Sequence, residues 1–351
     1  MRVQLKPIAE QVLVITGATS GIGLATARLA AQRGAKVVLA SRDETDLATV
    51  AGDIRAGGGE AMPVVADVAD LGALQAVADA AVRAYGRIDT WVNNAGVSMY
   101  GRIDQVALAD ARRLFETNYW GVVHGSLAAL PHLKRQGGVL INVGSVLSDV
   151  GYPLQGHYVA SKHAVKGFTD SLRIELEKEG APVVVTLVQP AAIDTPYPSH
   201  AKNYLDVAPT HQPPVYAPEI VARTILRCAE RPRRDVLVGG AAKLFTTMET
   251  WAPRLGDRFK QAAAFAGQRS DRPARPGTDT LHAPRPGDPR VRGDYEGRVM
   301  ESSAYTAAVT SPYAPLLGVA AVVAGVALLA RRRRADARDV VWIPARIAGR
   351  R

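Results

Sequence analysis

Residues 16–23 read Thr16-Gly17-Ala18-Thr19-Ser20-Gly21-Ile22-Gly23. They end an apolar run at 11–16 and open a helix-period segment at 23–33. Glycines at such a turn let the backbone approach a ligand closely, while the helix N-terminus offers unpaired N–H groups and the positive end of a dipole. A pyrophosphate suits that place. A tight strand-to-helix turn that binds nothing would look the same in isolation, so the surrounding chain decides. The spacing, T-G-x-x-x-G-x-G, also differs from the commoner G-x-G-x-x-G.

Outward from this turn, short apolar or β-branched runs alternate with longer helix-period stretches. Strands are expected at 11–16, 36–40, 61–66, 90–93, 139–143, 183–188 and 235–238. Helices are expected at 23–33, 71–85, 109–133, 158–178 and 217–229. Near-continuous apolar strands alternating with helices predict a parallel sheet covered on both faces, an α/β doubly wound domain of seven strands.

Four further features follow in order: Asn93-Asn94-Ala95-Gly96 after the fourth strand, Asn118 within the 109–133 helix, Ser145 just past the fifth strand, and Tyr158-Val159-Ala160-Ser161-Lys162. Tyr158 and Lys162 are one helical turn apart, so both reach the same face. A free tyrosine, with a pKa of ~10, is a poor proton donor or acceptor at neutral pH. A neighbouring ammonium stabilises the phenolate and brings proton transfer within reach. With these motifs over roughly residues 11–240, the sequence resembles the short-chain dehydrogenase/reductase family.

The resemblance implies a Rossmann-type fold, a nicotinamide dinucleotide and a carbonyl–alcohol interconversion by hydride transfer. Tyr158 would exchange the proton, Lys162 would hold the nicotinamide ribose and depress the Tyr158 pKa, and Ser145 would hydrogen-bond the reacting oxygen. Asn118 would hold a water in a proton relay to Lys162, a role compatible with stabilising a helix bend. The cofactor would lie against Gly17, Thr19, Ser20, Gly21, Ile22 and Gly23, against Asp67 and Val68 at the adenine, and against Asn94, Ala95 and Gly96. Tyr158, Lys162, Pro190, Ile193 and Thr195 would complete its site. In Pro190-Ala191-Ala192-Ile193-Asp194-Thr195, Ala191 replaces the family's usual glycine, which puts the local backbone angle in doubt.

The second strand ends in Ala40-Ser41-Arg42. A site for NAD usually places an acid there for the ribose 2′-hydroxyl, whereas an arginine pairs with a 2′-phosphate. Arg42 therefore favours NADP(H). NAD(H) remains open, since Arg42 could solvate a loop while Asp43 takes the ribose. Asp67 could likewise only cap the helix that begins near Asp70. The stretch 197–216, rich in proline and aromatics, lies where the family's substrate lid sits and favours a hydrophobic substrate.

The chain has 351 residues, 47% hydrophobic and 22% charged, with net charge +10 and one cysteine. A lone Cys228 excludes an intrachain disulfide framework. The first apolar run is too short for a signal-peptide core, so a cytoplasmic enzyme is expected. From residue 267 onward, 15 Arg against 8 acids carry +7, leaving +3 for the first 266 residues. The basic balance belongs to a tail, and no basic folded face marks a nucleic-acid partner. The seven histidines and Cys228 show no ligand spacing, so no metal is expected.

The chain divides into a catalytic domain at 1–242, an accessory helix at 243–266, a disordered Pro/Arg/Gly-rich linker at 267–312, an apolar helix at 313–331 and a basic tail at 332–351. The uncharged run at 314–330 would span roughly 25 Å, against a ~30 Å hydrocarbon core. It is a candidate for a span or an interfacial helix, with Arg331 to Arg334 on anionic headgroups. The family also implies a homo-oligomer. The functional expectation is an NADP(H)-dependent carbonyl reductase or alcohol dehydrogenase on a hydrophobic small molecule. The alternative is a dinucleotide-sensing or scaffolding protein working through its basic, membrane-associated tail.

Overall fold

Strand β1 (Val12–Thr16) is buried along its whole length, as a continuous apolar run requires when helices cover both faces of a sheet. The computed structural model describes residues 3–274 and 277–311. With β1, strands β2 (Lys36–Ser41), β3 (Glu60–Val65), β4 (Thr90–Asn93), β5 (Gly138–Val143), β6 (Val183–Pro190) and β7 (Asp235–Val238) form one sheet. All its pairings are parallel, in the order β7-β6-β5-β4-β1-β2-β3. Val14 of β1 stands between Val38 of β2 and Trp91 of β4. The strand order reverses at β1, and a crevice opens outside the C-terminal ends of β1 and β4, the place where such sheets bind ligands.

Helices α1 (Gly21–Gln32), α2 (Glu44–Ala56), α3 (Leu71–Tyr85), α4 (Leu108–Phe115), α5 (Gly121–Gln136), α6 (Gly156–Glu179) and α7 (Pro218–Glu230) accompany the strands. Local chemistry sets several ends. Asp43 accepts from the Asp46 N–H to cap α2, Asp70 accepts from the Gly72 and Ala73 N–H groups to cap α3, and Gly86 stops α3 at φ 77°. Val12, Val14, Val38, Trp91 and Leu140 pack with Leu74 and Val77 of α3, Ala129 and Leu133 of α5, and Leu172 and Leu176 of α6. The intervening Leu13 and Ile15 point to the opposite face and are equally buried.

Three expectations need correction. The helix expected at 109–133 is interrupted: between α4 and α5 the turn Glu116–Trp120 is a π-helix. The Asn118 side chain holds that turn, with Oδ1 accepting from the Val97 N–H (2.8 Å) and Nδ2 donating to the Val97 carbonyl (2.9 Å). The accessory helix at 243–266 is two helices, α8 (Gly240–Trp251) and α9 (Pro253–Gly267). Pro253 lacks an N–H and disfavours the helical region for Ala252, which sits at φ −144°, ψ 56°.

The third correction concerns 267–312, expected to be disordered. Arg269–Pro273 pairs antiparallel with Val207–Pro209, and Val299–Met300 pairs with Val215–Tyr216. The described residues of 277–300 lie along the crevice as an ordered strap, with Leu281 fully buried. The segment lacks apolar residues for a core of its own, but hydrogen bonds and ion pairs to the folded domain hold it. The described residues up to Thr306 belong to one compact unit. The apolar helix expected at 313–331 and the basic tail at 332–351 lie outside the described residues. Among the described residues, no helix is long and apolar enough to cross a membrane.

Candidate active site

The Gly-rich turn closes on the end of β4. Gly17 has φ +65°, and a Cβ there would fall 2.8 Å from the Ala95 Cα. At Gly23 a Cβ would fall 2.0 Å from the Gly17 carbonyl oxygen. Asn94 fastens the two segments: its Nδ2 donates to the Thr16 (3.0 Å) and Gly17 (3.1 Å) carbonyls, while the Asn94 and Ala95 N–H groups donate to Thr16 Oγ1. Thr19 and Ser41 share a hydroxyl hydrogen bond of 3.1 Å. Gly17, Thr19, Ser20, Gly21, Ile22, Arg42, Asp67, Val68, Asn94, Ala95, Gly96 and Thr195 line one continuous crevice. This close-walled cradle, with the N-terminus of α1 at its floor, fits a dinucleotide.

A buried polar chain sets the position of α6. Trp91 Nε1 donates to Asn93 Oδ1 (2.8 Å), Asn93 Nδ2 to Asn142 Oδ1 (2.9 Å), and Asn142 Nδ2 to Thr169 Oγ1 (2.9 Å). The helix carries Tyr158 and Lys162, both buried, into a cleft beside Ser145. Tyr158 hydrogen-bonds with Ser145 and with Tyr197. Lys162 Nζ donates to the Val143 carbonyl (2.9 Å) and lies 5.7 Å from the Tyr158 ring centroid. Ser145 Oγ also accepts from the Leu147 N–H at 3.1 Å.

Burial governs the proton affinities here. It pushes the Tyr158 hydroxyl up, against the hydrogen bonds to Ser145 and Tyr197, and pushes Lys162 down to about 8. The depression of the Tyr158 pKa expected from Lys162 is not seen in the protein alone, where burial sets the direction of the shift. Asn118, fully buried, spends its side chain on Val97 and on Ser161 Oγ (3.1 Å). Its place is a π-turn, a feature frequent at functional sites.

At the other end of the crevice, Arg42 donates to the Thr280 carbonyl and, at 3.4 Å, to that of Leu281. Desolvation lowers its pKa, with Asp67 opposing and Arg113 reinforcing the shift. Burial raises the Asp67 pKa, but the Ala69 N–H and the Arg113 guanidinium outweigh it and hold this carboxyl below its usual range. The cap of α3 belongs to Asp70, and Asp43 is engaged in capping α2.

Pro190 ends β6, and Ile193 and Thr195 follow it into the cleft. Leu154 is the single non-glycine residue with positive φ among the described residues, so the methyl of Ala191 causes no backbone strain. The cleft is lined largely by apolar and aromatic groups, among them Tyr100, Leu147, Val150, Pro214 and Phe245, while Gln155, His211, Gln212, Lys260 and Gln268 are among its polar groups away from Ser145 and Lys162. The accessory helices thus contribute Phe245 and Lys260 to its wall.

Tyr197, Gln155 and Arg113 were not singled out from sequence. Gln155 stands one turn before Tyr158 and could have been found by that spacing; its Oε1 accepts from the Tyr197 hydroxyl at 2.8 Å. Tyr197 was visible only as part of the lid. Burial raises the Cys228 thiol to about 12, which does not suit a nucleophile.

A family model described as short chain dehydrogenase matches residues 11–203. An uncharacterized oxidoreductase, YxnA, of Bacillus subtilis is 43% identical over 95% of this chain and 93% of its own. That match runs far past residue 203 and includes the strap. A putative oxidoreductase, SadH, of Mycobacterium tuberculosis is 34% identical, covering 72% of this chain and 94% of its own. Among solved structures, a short chain dehydrogenase/reductase from Burkholderia phymatum in complex with NAD superposes with TM-score 0.65 at 30% identity, over 72% of this chain and 96% of that one. An alcohol dehydrogenase from Thermococcus sibiricus, complexed with 5-hydroxy-NADP, gives 0.57 at 25% identity, over 65% and 95%. The glycine cradle at the strand switch point, the Tyr158–Lys162 turn and these matches agree: the chain belongs to the short-chain dehydrogenase/reductase family and is an NAD(P)-dependent oxidoreductase.

Proposed function

We propose that this enzyme reduces the carbonyl of a hydrophobic small molecule with NADPH. The observation that carries the reading is the Tyr158 hydroxyl, which meets Ser145 where the glycine-lined crevice opens into an apolar cleft. The reduced nicotinamide supplies a hydride when bound. Tyr158 donates the proton to the carbonyl oxygen, and its raised proton affinity keeps it protonated at neutral pH, as an acid requires. Ser145 hydrogen-bonds the same oxygen. Lys162 holds the nicotinamide ribose, Ile193 and Thr195 contact the carboxamide, and the π-turn at Asn118 serves the proton relay.

Arg42 supports the NADP preference. Two of its donors are engaged with strap carbonyls, and a guanidinium has further N–H groups to offer a 2′-phosphate, while Asp43 gives its Oδ1 to the helix cap. The reading extends to a homo-oligomer, for which exposed Trp120 and Leu127 near or on α5 and Ile174 on α6 offer an apolar contact. Membrane contact through residues 314–330 is proposed from sequence alone. Fluorescence titration of the full chain should show NADPH binding at least ten-fold more tightly than NADH, ~1.4 kcal/mol. Tyr158→Phe should retain that binding and lose NADPH-dependent ketone reduction by about 10²–10⁴-fold. Equal affinity for NADH would remove the cofactor preference, and turnover by the Phe variant would remove the proton-donor role.

A further inference from the structure

The strap at 277–300 crosses the dinucleotide crevice from end to end. At the adenosine end the Leu281 carbonyl also accepts from Arg113 Nε at 3.3 Å. Further along, the Gly287 N–H donates to Asp46 Oδ1 (2.8 Å), and the Arg290 carbonyl accepts from the Gly21 N–H (3.0 Å) at the start of α1. Gly293 then lies so close to the segment leading into the lid that a Cβ there would fall 2.4 Å from the Thr195 carbonyl oxygen. His200 and Asp288 pair at 3.1 Å, and Lys202 and Asp279 at 3.3 Å, so the strap is fastened to the lid as well as to the crevice.

Arg285 lies in the middle of this crossing and lines the crevice with Ser20, Gly21, Thr195 and His200. Arg290 and Arg292 are committed to ion pairs, whereas Arg285 has no ion pair or hydrogen bond among the described residues. Arg285 also lines the neighbouring cavity beneath Pro198, Ser199 and Ala201, which places it on the lid side of the crossing. Among the described residues, those lining the crevice with a permanent positive charge are Arg42 and Arg285, and Arg42 is held at the adenosine end. A pyrophosphate at the N-terminus of α1 is doubly charged, and a planar guanidinium matches its oxygens.

We propose that Arg285 binds the pyrophosphate of the dinucleotide, and that the strap closes over it, so that release requires the strap to lift. This rests on the crevice being the dinucleotide site. The test uses the full chain, with affinities from fluorescence titration and dissociation rates from stopped-flow displacement, for NADPH and NADH separately. Arg285→Ala should weaken both by a common factor of about ten, because both carry the same pyrophosphate; that is ~1.4 kcal/mol. Gly293→Val should raise both dissociation rates at least ten-fold by lifting the strap from Thr195. Affinities within two-fold of the parent in Arg285→Ala, or a loss confined to NADPH, would overturn the pyrophosphate assignment. Unchanged dissociation rates in Gly293→Val would overturn the closure. A parent chain that binds neither dinucleotide would instead refute the functional reading on which both depend.

Discussion

At the residue scale, Lys162 and Tyr158 are governed by the same desolvation, which acts in opposite directions on an acid and on a cation. Burial lowers Lys162 to about 8 and raises Tyr158. Below pH 8 the ammonium is present; above it the group becomes a neutral amine, which no longer favours transfer of the Tyr158 proton to the substrate. Reductive kcat/KM is therefore expected to hold steady from about pH 6 to 7.5 and to fall above about 8. A pH profile that rises through 8 would contradict this. The spacing of Tyr158 and Lys162 was legible because one helical turn aligns side chains whatever surrounds them. The direction of the Tyr158 shift was not, since its burial depends on Val97, Leu114, Tyr197 and Leu281, which come from other segments.

At the scale of elements, all seven strands were legible: the central ones because strands covered on both faces are written as apolar runs, and the half-exposed edge strands β3 and β7 because their valines follow the same pattern. The break between α4 and α5 was hidden: Asn118 bonds to Val97, 21 residues away, and nothing in the local periodicity signals that partner. Gly125 of α5 shows how closely an element can be constrained by its neighbours. A Cβ there would lie 2.0 Å from Asn93 Oδ1 and 2.9 Å from Trp91 Nε1. Gly125→Ala should therefore push α5 from β4 and disturb the polar chain that seats α6. A loss of ~1–3 kcal/mol is expected from overpacking, read as a lower urea midpoint. A midpoint equal to the parent's would mean that the helix shifts freely, contrary to this packing.

At the scale of the whole molecule, the proposed closure of the strap would link cofactor binding to stability. A ligand bound beneath both strap and lid stabilises the folded state by mass action, about 2.7 kcal/mol at one hundred times its dissociation constant. NADPH at that excess should accordingly raise the thermal midpoint and slow amide exchange in residues 277–300 together with the lid. Slowed exchange in the sheet alone would show that the strap does not cover the cofactor. Composition misread this segment because it judged whether the strap could bury a core of its own. The strap instead uses Leu281 as its anchor and borrows polar partners from Arg42, Asp46, Gly21 and His200.

The alternation of strands and helices, the glycine turn and the order of Asn118, Ser145, Tyr158 and Lys162 could all be read along the chain before any fold was known. Periodicity, backbone freedom and helical spacing are local properties, carried by residues near one another in the chain. Tertiary structure alone decided that 277–300 lies across the crevice, that Tyr197 meets Tyr158, and that α8 and α9 wall the cleft. Those contacts join residues tens to hundreds of positions apart, and their strength comes from desolvation and from hydrogen-bond partners that exist only once the chain has folded.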